Sequence, residues 1–125
     1  MKIGSILENK EVEKRISITP EIAKKYIDLG FDVSLSENYG DHLGIKNEEY
    51  SKLGVKISKK EKEIIDSSDV IVQLGLFSED KKELLKENQV LIGVLNPFQN
   101  KEGIDKLVKK KINVFSLELL PRITR

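Results

Sequence analysis

The most constraining feature of this sequence is an alternation of two kinds of segment. Short runs of β character occur at Lys2–Leu7, Asp32–Ser36, Asp69–Leu74, Val90–Leu95 and Asn113–Leu117, and stretches of helical periodicity separate most of them. Such an order predicts an α/β fold. Within it, Val70-Ile71-Val72 and Val90-Leu91-Ile92 carry no alternating polar residues. Strands of that kind belong at the centre of a mostly parallel sheet, covered on both faces. Helices are therefore expected on both sides.

The size allows one domain. At 125 residues, with 38% hydrophobic and 34% charged positions, the chain has apolar material for a single small core under a heavily charged surface. Its 22 basic and 21 acidic side chains leave a formal charge of +1. No global field then favours nucleic acid or an anionic membrane. There is no cysteine, so disulfides, zinc-thiolate sites and thiol nucleophiles are ruled out and a cytoplasmic setting is the expectation. The first apolar stretch, Ile3–Leu7, is too short for a signal-peptide core, and no later run approaches a membrane span. One histidine and carboxylates scattered among lysines do not compose a metal site.

Helix boundaries are legible from their caps. Thr19-Pro20-Glu21 supplies a cap, a first-turn proline and a favourable charge, and Gly30 the stop, with Ile22, Ala23, Tyr26, Ile27 and Leu29 as the apolar face. Further helices are expected over Asn47–Leu53, Lys59–Ile65 and Ser78–Lys86, and one capped by Asn100 that covers Ile104, Leu107 and Val108. Lys59-Lys60 and Lys109-Lys110-Lys111 read as solvated faces and C-terminal helix charges.

In doubly wound sheets ligands settle beyond the carboxyl ends of the strands, which directs attention to the loops there. After the first strand runs Glu8-Asn9-Lys10-Glu11-Val12-Glu13-Lys14-Arg15. After the fourth comes Asn96-Pro97-Phe98-Gln99-Asn100, and after the fifth Pro121-Arg122-Ile123-Thr124-Arg125. The three arginines, Arg15, Arg122 and Arg125, all fall in these loops although basic positions are otherwise lysine. A rigid guanidinium fork suits phosphate or carboxylate, so these loops are candidate ligand contacts, with Arg15, Gln73, Asn96 and Gln99 as candidate cleft-lining residues. His42, between Gly40 and Gly44, reads as a turn histidine. The pairs Glu8 with Glu13 and Glu48 with Glu49 lack the apolar sequence surroundings of an acid/base device. Gln73-Leu74-Gly75 could line a cleft or close a turn. No G-x-G-x-x-G occurs, so a dinucleotide would need another domain to hold most of it.

Three motifs, Glu13-Lys14-Arg15-Ile16-Ser17-Ile18-Thr19-Pro20, Leu95-Asn96-Pro97-Phe98-Gln99-Asn100 and Leu120-Pro121-Arg122-Ile123-Thr124-Arg125, occur in an order and spacing that resembles one family along essentially the whole chain. It is the N-terminal domain shared by alanine dehydrogenase and the alpha subunit of proton-translocating NAD(P) transhydrogenase. The first element is common to both branches; the other two look like the transhydrogenase branch. The resemblance implies a flavodoxin-like (Rossmann-like) sheet over residues 1–125, with the dinucleotide-binding Rossmann domain outside this chain. It implies hydride transfer between NADH and NADP+, with NAD(H) at this domain and NADP(H) on a partner domain. It also implies a membrane-embedded partner that moves protons, a homodimer, and a place at the cytoplasmic face of the inner membrane. Arg122, Ile123, Thr124 and Arg125 would contact the nucleotide, and no acid/base residue is needed because the cofactors carry the chemistry.

Two departures bear on the reading. The family's loop continues with a glutamine and an aspartate, whereas this sequence stops at Arg125, and a complete enzyme is therefore not expected from it. Where alanine dehydrogenases place a lysine for their substrate, the segment reads Gln73-Leu74-Gly75-Leu76. Arg15, which matches their keto-acid arginine, is then expected to serve the fold or an interdomain cleft. The alternatives are a non-catalytic module that docks on a separate dinucleotide-binding chain, and an alanine dehydrogenase-type oxidoreductase.

Overall fold

Six short parallel strands, β1 (Lys2–Ser5), β2 (Asp32–Ser36), β3 (Lys56–Ser58), β4 (Val70–Gln73), β5 (Val90–Gly93) and β6 (Asn113–Ser116), form one sheet in the computed structural model of the protein. The structure describes residues 1–8, 15–75, 83–93 and 101–116. The strand order is β3-β2-β1-β4-β5-β6, and each of the five neighbouring pairs is parallel.

The five strands expected from sequence are all present, in the order that flavodoxin-like sheets use. The sixth, β3, was not foreseen. It contributes only Lys56, Ile57 and Ser58 to the pairing with β2, and one apolar residue in three gives no periodicity to detect. Its addition at the edge converts the flavodoxin order to the 3-2-1-4-5-6 order of Rossmann sheets. In either order the chain reverses direction across the sheet between β1 and β4, which makes the carboxyl end of that pair the topological switch point.

Helices α1 (Pro20–Asp28), α2 (Asn47–Ser51), α3 (Glu61–Ser67) and α4 (Lys101–Lys109) fill the connections, with a single 3-10 turn at Asp41–Leu43 that holds His42. Thr19 caps α1 as expected, its Oγ1 accepting the Ile22 N–H at 3.3 Å. Gly30 follows that helix at φ 96°, a left-handed conformation that glycine adopts at no steric cost. The apolar face is narrower than expected. Leu29 sits at the helix end, outside the buried stripe, and is 72% exposed. Val108, expected in the core, is likewise exposed because Ile104 and Leu107 already fill the inward face of α4.

Other boundaries moved. The helix foreseen over 59–65 begins at Glu61 instead, so Lys60 stands before it as the N-cap, and Lys59-Lys60 is no C-terminal charge pair. Of the helix expected over Ser78–Lys86, Glu83 and Leu84 form a turn, and Leu85 and Lys86 are irregular; residues 78–82 lie outside the described residues.

Two apolar clusters flank the sheet. Ile3, Ile18, Ala23, Val33, Leu35, Tyr39, Tyr50 and Val55 pack with α1 and α2 around β1 and β2. Ile6, Ile64, Ile65, Ile71, Leu85, Leu91, Leu107 and Ile112 pack with α3 and α4 around β4 and β5. Gly4 admits α3 against β1: a Cβ there would collide with Ser68 Oγ and stand 2.9 Å from Ile64 Cγ2.

Candidate functional site

The chain leaves β1 at Ser5 and delivers Glu8 to the switch point, where the end of β4 meets it. Glu8 is only 8% exposed. A buried carboxylate must be hydrogen-bonded, and this one is: Gln73 Nε2 and the Leu74 N–H donate to Oε2 at 2.8 Å each, and the Gly75 N–H donates to Oε1 at 3.1 Å. Its donors come from residues 65 to 67 positions away in sequence. The turn after β4 is thereby fixed to the end of β1.

Gln73 lies beneath this turn. Its Oε1 accepts the Ile6 N–H at 2.6 Å and the Ser5 hydroxyl at 3.0 Å, and its Nε2 also donates to the Ile6 carbonyl at 3.1 Å. Both amide atoms are thus spent inside the protein at 2% exposure. The expected cleft-facing side chain at Gln73 is a buried support. Its amide orientation is determined by partners, since Ile6 N–H can only donate.

The network continues to two tyrosines. Ser5 Oγ lies 2.8 Å from Tyr39 Oη and donates to the Val72 carbonyl at 2.6 Å. Tyr39 Oη accepts the Ser17 and Ile18 N–H groups at 3.1 and 3.3 Å, and Tyr50 O–H donates to the Ile18 carbonyl at 2.8 Å. The rings meet edge to face, with centroids 6.1 Å apart. Burial raises the Tyr39 phenol above its ordinary value, against the opposing pull of its bonds to Ser5, Ile18 and Ser17. Burial first, then the charges of Tyr39 and Glu49, raise Tyr50. Both phenols are neutral across the physiological range.

Arg15 is exposed and stands two residues before the first of these clamps. Topology and hydrogen bonds therefore bring together Glu8, Gln73, Gly75 and the backbone that carries Arg15. Asn96, Gln99, Arg122, Ile123, Thr124 and Arg125 lie outside the described residues. Glu8 was visible in sequence only as a poor acid/base candidate, and Ser5, Tyr39 and Tyr50 gave no signal, because each acquires its role from partners tens of residues away.

The site does not suit a pyrophosphate. In a Rossmann sheet the phosphates lie beyond β1, held by backbone N–H groups. Here the Glu8 carboxylate takes the N–H groups of Leu74 and Gly75 for itself, and an anion in that place repels another. What the residues do fit is one side of a crevice, with an exposed guanidinium above a rigid floor. A separate hollow of about 200 Å³ lies between Lys2, Asp32, Ser34, Gly54, Lys56 and Ser67, where strands begin. Its mixed charges and its position away from the carboxyl ends make it the weaker candidate. Among the described residues no group of three or more metal-ligating side chains occurs, and no helix is long and apolar enough to cross a membrane.

The family model described as Alanine dehydrogenase/PNT, N-terminal domain, matches residues 4–125. The chain belongs to this family. The first of the polypeptides that make up NAD(P) transhydrogenase subunit alpha in Rickettsia prowazekii is 36% identical over 129 residues, an alignment that takes in 100% of the chain and 34% of that protein. A solved transhydrogenase from Sinorhizobium meliloti superposes with a TM-score of 0.91 at 28% identity, covering 100% of this chain and 37% of the other. An L-alanine dehydrogenase superposes with a TM-score of 0.86 at 20% identity, over 93% of this chain and 32% of the other, which shows the shared fold. The chain thus spans about a third of the length of these relatives. As an alanine dehydrogenase/PNT N-terminal domain it has the α/β, Rossmann-like architecture of both branches.

Proposed function

We propose that this domain is the N-terminal portion of an NAD(P) transhydrogenase subunit alpha and forms one wall of the crevice that takes NAD(H). The observation that carries this reading is the switch point. There the Glu8–Gln73 support and the Arg15 segment converge at the carboxyl ends of β1 and β4, while the anion-binding N–H groups are already occupied. A wall of that kind positions a nicotinamide ring and leaves the phosphates to a second domain. The likeness to the Rickettsia prowazekii subunit favours the transhydrogenase branch.

In this reading NADH gives a hydride to NADP+ held on a partner domain, and membrane-embedded partner segments couple the transfer to proton movement. The assembly is a homodimer at the membrane face. Arg122, with Ile123, Thr124 and Arg125, contacts the nucleotide; Arg15, Asn96 and Gln99 line the crevice.

In the complete gene product with its partners, Arg122→Ala is expected to slow NADH-to-NADP+ hydride transfer by at least about tenfold. Unchanged turnover and NADH affinity would refute the assignment. NADH oxidation that depends on pyruvate and ammonia would instead place the protein with the alanine dehydrogenases, a result that Gln73 and Gly75 argue against. The 125-residue chain alone is expected to bind NADH weakly. A Kd below ~1 μM for that chain would contradict a wall that lacks its phosphate cradle.

A further inference from the structure

We propose that Tyr39 is a positioning residue for Arg15: its hydroxyl ties the segment that carries the guanidinium to the carboxyl end of β1. The inference rests on the reading that Arg15 faces the nucleotide crevice.

A phenol has one proton and two acceptor sites. Both acceptor sites of Tyr39 are taken by N–H groups, those of Ser17 and Ile18. Its proton must therefore go to Ser5 Oγ, the remaining partner at 2.8 Å. Ser5 in turn has its own proton for the Val72 carbonyl or Gln73 Oε1. The direction of every bond from Tyr39 to β4 follows from this count. Gln73 completes the path to Glu8.

The consequence for Arg15 is mechanical. From Ser17 onward the backbone is held on both sides, its N–H groups by Tyr39 and the Ile18 carbonyl by Tyr50, and Thr19 then starts α1. Ile18 itself is wholly buried. The exposed Arg15 therefore departs from a fixed point, and the same hydroxyl that fixes it also touches the strand end on which Glu8 is carried. Without the hydroxyl the ring can still fill its place between α1 and α2, but the two amides lose their common acceptor. Arg15 would then search a wider volume before meeting a ligand.

The test uses the complete gene product and NADH, in four forms: wild type, Tyr39→Phe, Arg15→Ala and the double variant. Tyr39→Phe is expected to raise the NADH KM by about tenfold with kcat within about twofold, and to add nothing once Arg15 is alanine. Equal effects in both backgrounds, or no effect in either, would overturn the proposal, since a purely structural tyrosine acts regardless of Arg15. Amide exchange at Ser17 and Ile18 serves as a readout independent of NADH. It should quicken in Tyr39→Phe, and unchanged exchange would overturn the proposal even if the protein proved not to bind NADH. Failure of NADH binding by the wild type, with quickened exchange in the variant, would reject the crevice reading while leaving the tether in place. If Tyr39→Phe does not fold, Ser5→Ala keeps both amide bonds and removes only the acceptor of the phenol proton. Its smaller rise in KM should likewise vanish in the Arg15→Ala background, and persistence there counts against the proposal.

Discussion

Two buried glutamines, one at each rim of the sheet, show how the same side chain serves different ends. Gln73 stands at the carboxyl rim and Gln89 at the amino rim, 2% and 7% exposed. Gln89 Nε2 donates to the Ile65 and Ser68 carbonyls, and its Oε1 accepts the Lys86 N–H at 2.6 Å. Those partners are all backbone groups, so the amide closes the passage from α3 to β4 against the approach to β5. Gln73 also satisfies backbone, at Ile6, but in addition it holds a carboxylate and a serine that leads to Tyr39. The amino rim is fastened for stability alone. The carboxyl rim is fastened around a charge, and that is where a ligand-facing arginine segment begins.

The largest effect should come from the carboxyl rim. Gln73→Leu strands the Ile6 amide and carbonyl and removes one donor from Glu8, and should cost about 3 kcal/mol or more of unfolding free energy in a urea titration. The same substitution should weaken NADH binding by the complete gene product. Gln89→Leu is the control at the other rim, with an expected loss of about 2 kcal/mol and NADH affinity within about twofold of wild type. If the two variants weaken NADH binding equally, the contrast between the rims fails.

Alkaline pH probes the tyrosines behind the carboxyl rim. Tyr39 and Tyr50 are both raised above 10.0, their unfolded value. Above that value the unfolded chain loses protons the folded chain keeps, so νU is below νN and stability falls as pH rises. Urea midpoints should be flat below about pH 9 and decline beyond pH 10, less steeply in Tyr39→Phe. The smallest effect belongs to Gly75. A Cβ there would stand 3.6 Å from Glu8 Oε1, an ordinary contact, and Gly75→Ala should stay within about 0.5 kcal/mol of wild type. A larger loss would mean that the turn needs glycine itself.

What the sequence disclosed and withheld follows the range of the interactions. Thr19, Pro20 and Gly30 act on neighbours within a few residues, and they marked α1 correctly. Val70–Val72 and Val90–Ile92 announced the buried parallel strands through composition alone. β3 escaped because Lys56, Ile57 and Ser58 are too few to show a period, and with it went the difference between flavodoxin and Rossmann strand orders. The support at the site was illegible for a different reason. Glu8 with Leu74, Ser5 with Tyr39 and Tyr39 with Ser17 are separated by 66, 34 and 22 positions, and only the fold brings them together. Arginine placement directed attention to the correct rim at Arg15, and the motifs around Asn96, Gln99 and Arg122 indicated the family.

Hydrogen exchange of the complete gene product with and without NADH tests the central claim most directly. The account predicts added protection in peptides spanning Glu8, Arg15–Ile18 and Gln73–Gly75, with none around Ile65–Asp69 or Lys86–Gln89. Protection confined to the amino rim, or absent from the Glu8 and Gly75 peptides while NADH is bound, would contradict it.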